Sequence, residues 1–421
     1  MSAESEPSTG ANRANRADGA RQYVIIGNGV AGTTAADTLR KADANCQIVL
    51  IDDEPYPLYN RIALPRVLKQ TTAPERTIIR QLAWHAQNQI ELLLETTVTQ
   101  VDTDAKSVTT SDGKTFRYDK LLVATGGTPN PLPVPGAAGT AGIYHFQTLD
   151  DTKAILRRAE QARAAITIGG SFIAYELTEA FRYRNIPTTW LVRGPRFLHR
   201  IIDEDGGALV DRLARDVGVE THYGESAAEV HAEAGDVAGV TTQSGKRLGC
   251  DLLGVGVGLT LRTEFLQHTP VRVNLGVVTN EYLESSVPDV YAAGDVAEFY
   301  DLYIDTYNQM GTWNNAAAHG RTAAVNMMGG HQVYGEVPYY TSTMFESQMA
   351  AIGTTPEVRP DMESISRVDM NAHVYRRLFF HEGRLAGAVL IGDIRVRRQL
   401  MEIIKSRQVI EPSERAKLVN V

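Results

Sequence analysis

The chain of 421 residues carries 42 Lys and Arg against 50 Asp and Glu, and the net charge of −8 argues against a nucleic-acid-binding surface. Its length predicts about three domains. We expect no membrane partner and no secretory leader, because the sequence contains no apolar run of the necessary length. The two cysteines, Cys46 and Cys250, are too few for a disulfide framework and indicate a reducing, cytoplasmic location.

After a polar segment at residues 1–20, which we expect to be a disordered extension, the first predicted element is a dinucleotide fingerprint. Residues 23–32 read YVIIGNGVAG, an apolar strand followed by Gly27, Gly29 and Gly32 in G-x-G-x-x-G spacing. Gly27 permits a tight turn, Gly29 lets a pyrophosphate approach the backbone, and Gly32 lets the helix pack closely on the strand. The first helical amides would then meet the phosphates, so this unit predicts a nucleotide site.

A second strand, QIVLI at 47–51, runs into Asp52, Asp53 and Glu54. An acid at this place accepts hydrogen bonds from a ribose, and Asp53 lies 26 residues after Gly27, close to the usual spacing of about 20. The combination of strand, glycine turn, second strand and acid makes the nucleotide interpretation specific.

Residues 165–176, AITIGGSFIAYE, form a second strand–turn–helix unit in which Gly169, Ser171 and Ala174 take the three glycine positions. Two such units in one chain predict two nucleotides held face to face, the arrangement by which a nicotinamide reduces a flavin. Ser171 adds a side chain where the pyrophosphate comes nearest. Two interpretations therefore stay open: a working nicotinamide site, or a unit that keeps its shape without binding tightly.

The strand TTWLV at 188–192 ends in Arg193, where NAD-binding proteins usually carry an acid, and Arg196 and Arg200 follow. A cation cannot accept a hydrogen bond from a ribose 2′-hydroxyl but can hold a 2′-phosphate, which favours NADPH over NADH. The alternative is a solvated basic surface.

Cysteine redox chemistry and metal chemistry are not expected. The segment that follows the acid-ended strand, PYPLYNRIALPRVLK at 55–69, contains no cysteine, and both cysteines are interpreted as structural. No His, Cys or Asp cluster has metal-ligand or iron–sulfur spacing. We therefore predict no metal site.

Four further stretches carry a family resemblance: LLVATGGTPN (121–130), VYAAGDVAEF (290–299), EPYPLYNRIAL (54–64) and YRRLFFHEGRLAGAVLIGD (375–393). With the two glycine turns, they make the chain similar, over about residues 21–410, to the pyridine nucleotide–disulfide oxidoreductase superfamily. Within it the chain resembles the branch without redox cysteines: rubredoxin and ferredoxin reductases and the NAD(P)H/FAD portion of nitrite reductases.

The resemblance implies an α/β fold with two Rossmann-like domains and a small C-terminal α/β domain. An FAD domain at 21–140 and 259–328 would be split by an inserted NAD(P)H domain at 141–258, and residues 329–421 would form the C-terminal domain. In it we expect strands near 342–353, 374–380 and 384–391 and a helix at 393–406. Another helix is expected within 311–330, and the apolar stretch 252–266 is the predicted return strand of the inserted domain.

The resemblance also implies site residues. Residues expected to bind FAD are Gly27, Gly29, Val30, Ala31, Gly32, Asp53, Glu54, Arg61, Arg66, Val98, Ala124, Thr125, Gly126, Gly294, Asp295, Trp313 and Asn314. Residues expected to bind NADPH or NADH are Gly169, Ser171, Phe172, Ile173, Glu176, Arg193, Arg200 and Gly256. In the family the residue matching Glu176 lies beside the flavin and pairs with a Lys, at whose place this chain has Arg66. Glu176 and Arg66 are therefore the catalytic candidates.

Three functions remain open. The first is a reductase that passes electrons from NAD(P)H through FAD to a small rubredoxin- or ferredoxin-like carrier, with a basic docking rim at RVRRQ (395–399) or FRYR (181–184). The second is a flavoenzyme acting directly on a small organic substrate or O₂, its pocket lined by the aromatic stretch 299–313. The third is a non-catalytic FAD-binding protein with a decayed nicotinamide site. Relatives are often dimers, so a homodimer is a further expectation.

Overall fold

The computed structural model describes residues 20–420, so the predicted extension, apart from Ala20, lies outside the described residues. The described part contains two five-stranded parallel sheets and one five-stranded antiparallel sheet, with smaller sheets beside them. The predicted α/β fold with two Rossmann-like units and a C-terminal unit is confirmed.

From residue 20 to 130 the chain forms β1 (Gln22–Ile26), α1 (Val30–Ala42), β2 (Gln47–Ile51), α2 (Leu64–Leu68), α3 (Leu82–Gln87), β3 (Ile90–Leu93), β4 (Val98–Asp102), β5 (Ser107–Thr110), β6 (Thr115–Arg117), β7 (Lys120–Val123) and β8 (Gly127–Pro129). Then come β9 (Ile143–Tyr144), α4 (Leu149–Ala159), β10 (Ala165–Ile168), α5 (Phe172–Tyr183), β11 (Thr188–Val192), α6 (Glu204–Asp216), β12 (Val219–Tyr223), β13 (Ala227–Glu233), β14 (Asp236–Thr242), β15 (Arg247–Gly249), β16 (Leu252–Val255) and β17 (Leu259–Leu261).

The remaining elements are β18 (Val277–Val278), β19 (Val290–Ala292), β20 (Ala297–Asp301), β21 (Thr306–Asn308), α7 (Trp313–Met327), β22 (Tyr339–Met344), β23 (Ser347–Gly353), β24 (Glu363–Asp369), β25 (Val374–His381), β26 (Arg384–Ile391), α8 (Arg397–Ser406) and α9 (Pro412–Leu418). Short 3-10 helices lie at Arg61–Ala63, Pro74–Thr77, Glu264–Leu266 and Gly294–Val296.

The first parallel sheet has the strand order β19-β7-β1-β2-β3. Its strands are mostly apolar because both faces of the sheet are covered, as expected for a parallel sheet. Helices α1 and α7 pack together on one face. A Cβ on Gly320 of α7 would lie 2.2 Å from the carbonyl oxygen of Ala31, so only glycine allows this approach. Strand β19 comes long after the other four, and the second sheet lies between them in the chain.

The second parallel sheet has the order β12-β11-β10-β16-β9. The apolar stretch 252–266, predicted as one return strand, is instead β16, β17 and a 3-10 helix. Strand β17 pairs with β8 as a two-stranded antiparallel ribbon, which connects the two Rossmann-like units.

The C-terminal sheet has the order β22-β23-β26-β25-β24, and all its pairs are antiparallel. The strand predicted near 342–353 is wrong as a single element. The chain turns at Phe345 and Glu346, whose φ angles are +44° and +70°, and forms the hairpin β22–β23. Strand β24 and helix α9 were not predicted. One face of the sheet packs on α8, and the other packs on α6 and the end of β11.

Candidate functional site

The first glycine turn is fixed by close backbone contacts. Gly27 has a φ of +106°, and its amide donates to the Ile51 carbonyl at 2.7 Å. A Cβ on Gly27 would lie 2.2 Å from the carbonyl oxygen of Ala124, and one on Gly32 would lie 1.9 Å from that of Gly27. The first and third glycines are therefore required by the protein's own packing.

The middle glycine of this turn is different. A Cβ on Gly29 would meet nothing within 4 Å. Gly29 is the residue that caps α1, and the amides of Val30 and Ala31 have no acceptor among residues 20–420. An open helix end beside free space is the form of a pyrophosphate site, so these residues fit the phosphates of FAD.

The three acids after β2 have separate partners. Asp52 accepts hydrogen bonds from the amides of Asn28 and Glu54, and burial raises its pKa to about 6. Both oxygens of Asp53 accept from Nη1 of Arg262 at 2.9 Å. A carboxylate has about four acceptor positions, so Asp53 can still accept from a ribose. Nothing in the local sequence predicts Arg262 as a partner of Asp53, because it lies 209 residues further along the chain.

Glu54 and Arg61 form an ion pair, and Glu54 also accepts from the Tyr59 hydroxyl at 2.6 Å. Arg61 donates from Nη1 to the Gln147 carbonyl at 2.8 Å. Burial raises the pKa of Asp295, and the positive charge of Arg61 opposes that rise. The charge of Arg61 thus acts on Asp295, a residue predicted for FAD from a distant segment.

Asp295 lies in the second FAD segment, after Gly294, whose φ is +80°. Its carboxyl forms no ion pair within the described chain, and a Cβ on Gly311 would lie 2.9 Å from Asp295 Oδ2. A half-buried carboxyl without an ion-pair partner in the described chain, beside such a tight backbone, fits the hydroxyl-rich ribityl chain of FAD.

The other residues predicted for FAD lie at several places in the first unit. Thr125 donates from Oγ1 to the Arg262 carbonyl at 2.7 Å, and Gly126 adopts a φ of +63°. At the start of α7, Thr312 caps the helix, Trp313 is half-buried and Asn314 is exposed. The remaining two are buried: Ala124 after β7 and Val98 in β4.

The second glycine turn repeats the geometry of the first. Gly169 has a φ of +132°, its amide donates to the Leu191 carbonyl at 2.9 Å, and a Cβ there would lie 2.1 Å from the Gly256 carbonyl oxygen. The buried indole of Trp190 donates to the Gly169 carbonyl at 2.8 Å. The turn is therefore held on both sides by the neighbouring strands.

Ser171, at the position of the middle glycine, acts as the helix cap. Its hydroxyl donates to the Gly256 carbonyl at 2.9 Å and accepts from the Ala174 amide at 3.4 Å. These bonds hold the hydroxyl against the protein's own backbone. The amides of Phe172 and Ile173 have no acceptor in the described chain, so the end of α5 keeps the anion-binding form seen at α1.

The arginines after β11 differ in their commitments. Arg196 donates to the Ile202 carbonyl at 2.8 Å and lies across Gly207. Arg193 and Arg200 are exposed, and neither forms an ion pair within residues 20–420. Both are therefore free to meet an anionic group at the carboxyl edge of the second sheet.

The predicted pairing of Glu176 with Arg66 is wrong. Glu176 is 8% exposed and accepts from the Tyr340 hydroxyl at 2.7 Å and the Ser342 hydroxyl at 3.4 Å. Arg66 is exposed, because Leu64, Val67 and Leu68 take the buried face of α2. Burial raises the pKa of Glu176 to about 7, and the two hydroxyl donors oppose that rise.

A different ion pair joins α2 to α5. Lys69, just after α2, pairs with Glu179, one helical turn beyond Glu176. Glu179 also accepts from the Phe345 amide at 2.7 Å, at the turn of the β22–β23 hairpin. Lys69, Glu179 and Tyr340 are absent from the predicted site, because nothing in their local sequence indicates contacts across such separations.

The aromatic stretch 299–313 serves mainly for packing. Phe299 is buried in the core beside the first sheet, Tyr300 and Tyr307 pack edge to face at 5.5 Å, and Tyr303 donates to the Gly335 carbonyl.

Both cysteines are buried and unpaired, and burial raises the pKa of Cys250 to about 12. The described residues contain no group of three or more acidic, His or Cys side chains able to hold a metal. Within the same residues, no helix combines the length and apolarity that crossing a membrane requires.

Residues 21–320 match the sequence family described as pyridine nucleotide-disulphide oxidoreductase, and residues 338–408 match the rubredoxin NAD+ reductase C-terminal domain. The assimilatory nitrate reductase electron transfer subunit of Bacillus subtilis is 27% identical over 409 residues, 93% of this chain and 51% of that protein. The chain thus spans about half the length of this relative. Putidaredoxin reductase CamA of Pseudomonas putida is 30% identical over 335 residues, 78% of this chain and 79% of that one.

Among solved structures, the covalent putidaredoxin reductase-putidaredoxin complex matches with a TM-score of 0.88 and 26% identity, covering 94% of this chain and 95% of the other. The likeness therefore extends through both nucleotide-binding units and the C-terminal unit.

Proposed function

Because this chain belongs to the pyridine nucleotide-disulphide oxidoreductase family, we propose that it is an FAD-dependent NAD(P)H reductase whose electron acceptor is a small rubredoxin- or ferredoxin-like protein. The observation that carries this proposal is the pair of glycine turns, at Gly27 and Gly169, each followed by a helix with free first amides. Two such turns in one chain support two bound nucleotides rather than one.

The residues of the first unit support FAD. The space beside Gly29 and the free amides of α1 would take the pyrophosphate, Asp53 would accept from the adenosine ribose, and Asp295 from the ribityl chain. FAD, when bound, supplies the chemistry that links a two-electron hydride donor to a one-electron acceptor. The chain's own contribution is to hold and align the two nucleotides and to keep water away.

We further propose NADPH as the preferred donor. Arg193 and Arg200 are exposed and without ion-pair partners in the described chain, at the place where an NADH-binding site usually has an acid. The name of the C-terminal family, rubredoxin NAD+ reductase, points the other way. We favour NADPH over NADH because Arg193 and Arg200 lie in this chain itself, at the carboxyl edge of the second sheet, where the nucleotide would bind.

The carrier protein is proposed from the relatives, one of which is crystallised in covalent complex with putidaredoxin. The two basic segments suggested as a docking rim are partly committed to the protein itself. Arg395 pairs with Asp393, Arg397 lies 5.0 Å above the Tyr339 ring, and Arg182 donates to the Val217 carbonyl. A docking surface would therefore depend on shape as well as on these charges.

The test is anaerobic titration of the FAD-loaded protein with NADPH and with NADH, followed by addition of oxidised rubredoxin. We expect the flavin absorbance to bleach, faster with NADPH, and to return as rubredoxin is reduced. Bleaching without rubredoxin reduction, but with rapid turnover on O₂, would instead favour a flavoenzyme that acts directly on a small molecule. A flavin that neither nucleotide bleaches would refute the reductase.

A further inference from the structure

The first strand of the C-terminal sheet, β22, lies along α5 and contacts the first two turns of that helix. The Tyr340 hydroxyl donates to Oε1 of Glu176 at 2.7 Å. The Tyr340 ring also lies 4.4 Å, centroid to centroid, from the ring of Phe172. Tyr340 thus contacts both the first residue of α5 and its first buried carboxyl, which also accepts from the Ser342 hydroxyl at 3.4 Å.

Neighbouring contacts fix the position of β22 on this helix. The Tyr175 hydroxyl donates to the Thr343 carbonyl at 2.8 Å, and the Phe345 amide donates to Glu179 at 2.7 Å. These bonds involve the strand backbone, so they set the register of β22 independently of the Tyr340 side chain. Tyr340 is therefore presented to Glu176 by a rigid element.

We propose that Tyr340 is a positioning residue for hydride transfer: its hydroxyl fixes the Glu176 carboxyl, and its ring fixes Phe172 at the open end of α5. The inference rests on the proposed function, because Phe172 and Glu176 act on a nicotinamide only if one binds at this helix end. Through Tyr340, the C-terminal unit would contribute to the nicotinamide site without touching the nucleotide.

Several charged and polar groups around Glu176 set its pKa, so the loss of the Tyr340 hydroxyl can be measured as a change in that pKa. Burial raises the pKa of Glu176 to about 7; the hydroxyls of Tyr340 and Ser342 lower it, Glu179 on the same helix raises it, and Lys69 beyond α2 lowers it. A hydroxyl that donates to the carboxylate stabilises the ionised form. Removing only that donor must therefore move the Glu176 pKa upward.

Tyr340→Phe removes the hydroxyl and keeps the ring, whereas Tyr340→Ala removes both. Tyr375→Phe is the matched control, because the Tyr375 hydroxyl also joins the C-terminal sheet to the second unit, accepting from the Asp203 amide at 3.3 Å. The protonated carboxyl band of Glu176 would be titrated by infrared difference spectroscopy on the FAD-loaded protein, with Glu176→Gln to assign it. Anaerobic flavin reduction would be followed against pH in the same variants.

We expect Tyr340→Phe to shift the Glu176 titration, and the matching limb of the reduction profile, upward by about one pH unit. The KM for NADPH should stay unchanged in Tyr340→Phe and rise in Tyr340→Ala, where the contact with Phe172 is lost. Tyr375→Phe should change neither quantity.

If wild-type flavin is reduced but Tyr340→Phe titrates like wild type, the inference is overturned and the proposed function stands. If neither NADPH nor NADH reduces the wild-type flavin, the proposed function is overturned, and the positioning role of Tyr340 with it, whatever the infrared titration shows.

Discussion

Lys69 and Glu179 form an ion pair between the two nucleotide-binding units, with side chains only 14% and 10% exposed. Glu179 accepts at the same time from the Phe345 amide of the C-terminal hairpin. One carboxylate therefore joins α2, α5 and the β22–β23 turn, which places a charged contact at the junction of all three units.

This junction predicts an asymmetric response to mutation. Lys69→Met leaves Glu179 buried without its cation and should lower the free energy of unfolding by about 3–5 kcal/mol. The matched control is Lys41→Met, because Lys41 is 72% exposed and pairs with Asp37 within α1; that variant should lose about 0.5 kcal/mol or less. Urea unfolding measures both free energies of unfolding. Equal losses in Lys69→Met and Lys41→Met would contradict a stabilising role for the Lys69–Glu179 ion pair.

The glycines of the first turn should separate folding from FAD binding. Gly29→Ala meets no protein atom within 4 Å, so the apoprotein should lose only the cost of alanine at a helix cap, about 1 kcal/mol or less, while FAD affinity falls by the overpacking cost of about 1–3 kcal/mol. Gly32→Ala should destabilise the apoprotein itself, because its Cβ would lie 1.9 Å from the Gly27 carbonyl oxygen. Thermal unfolding measures the stability and FAD titration the affinity. Unchanged FAD affinity in a folded Gly29→Ala protein would mean that the pyrophosphate does not bind beside Gly29.

Ser171 should prove to be a helix cap rather than an obstacle to the nucleotide. Ser171→Ala loses the bonds to Gly256 and Ala174 and should cost about 1 kcal/mol of stability, whereas Ser171→Gly should cost only a few tenths of a kcal/mol. The KM for NADPH should remain close to wild type in Ser171→Gly. A large fall in KM on that change would mean that the serine side chain does obstruct the pyrophosphate.

Arg193 should determine the choice between the two nicotinamide nucleotides. Arg193→Ala removes one charge-assisted contact worth about 1.5–3 kcal/mol. NADPH binding should therefore weaken about 10- to 100-fold, whereas NADH binding should be unaffected. Arg163→Ala is the control, since Arg163 is a 90% exposed arginine of the same unit that pairs with Asp251. Equilibrium titration gives both constants, and an equal effect on the two nucleotides would exclude a 2′-phosphate contact.

Glu176→Gln should make the protein more stable at high pH while slowing flavin reduction. The folded-state pKa of Glu176, about 7, lies above the usual 4.5, so the folded protein binds this proton more tightly than the unfolded chain. Stability is therefore fully present below pH 4.5 and is lost as the pH rises through 7. Glutamine keeps the acceptor for Tyr340 and carries no charge.

Above pH 7, Glu176→Gln should gain up to about 3 kcal/mol relative to wild type, and below pH 4.5 the two should coincide. Chemical denaturation across pH measures the difference. A constant offset at every pH would mean that the carboxyl is not titrating, and an unchanged anaerobic reduction rate would remove Glu176 from the mechanism.

The sequence predicts structural features formed by neighbouring residues, but not contacts between residues that are far apart in the chain. The spacing of Gly27, Gly29 and Gly32 identified the first turn, since backbone sterics fix which positions must lack a side chain. Arg262 could not be assigned to Asp53, nor Tyr340 to Glu176, because 209 and 164 residues separate these partners. The family resemblance places Arg66 beside Glu176. The buried residues of α2 lie on the other face of that helix, so Arg66 is exposed to solvent.

The topology of the first sheet has a consequence for biosynthesis. Strand β19 is made only after the whole second sheet, yet it pairs with β7 beside the first glycine turn. The second sheet, by contrast, is continuous in the chain from β9 to β16. Once residue 258 has emerged from the ribosome, the second unit is therefore complete, whereas the first unit still has an unpaired strand edge at β7. We expect the second unit to fold first during translation, and the first sheet to be completed only when β19 has emerged and paired with β7.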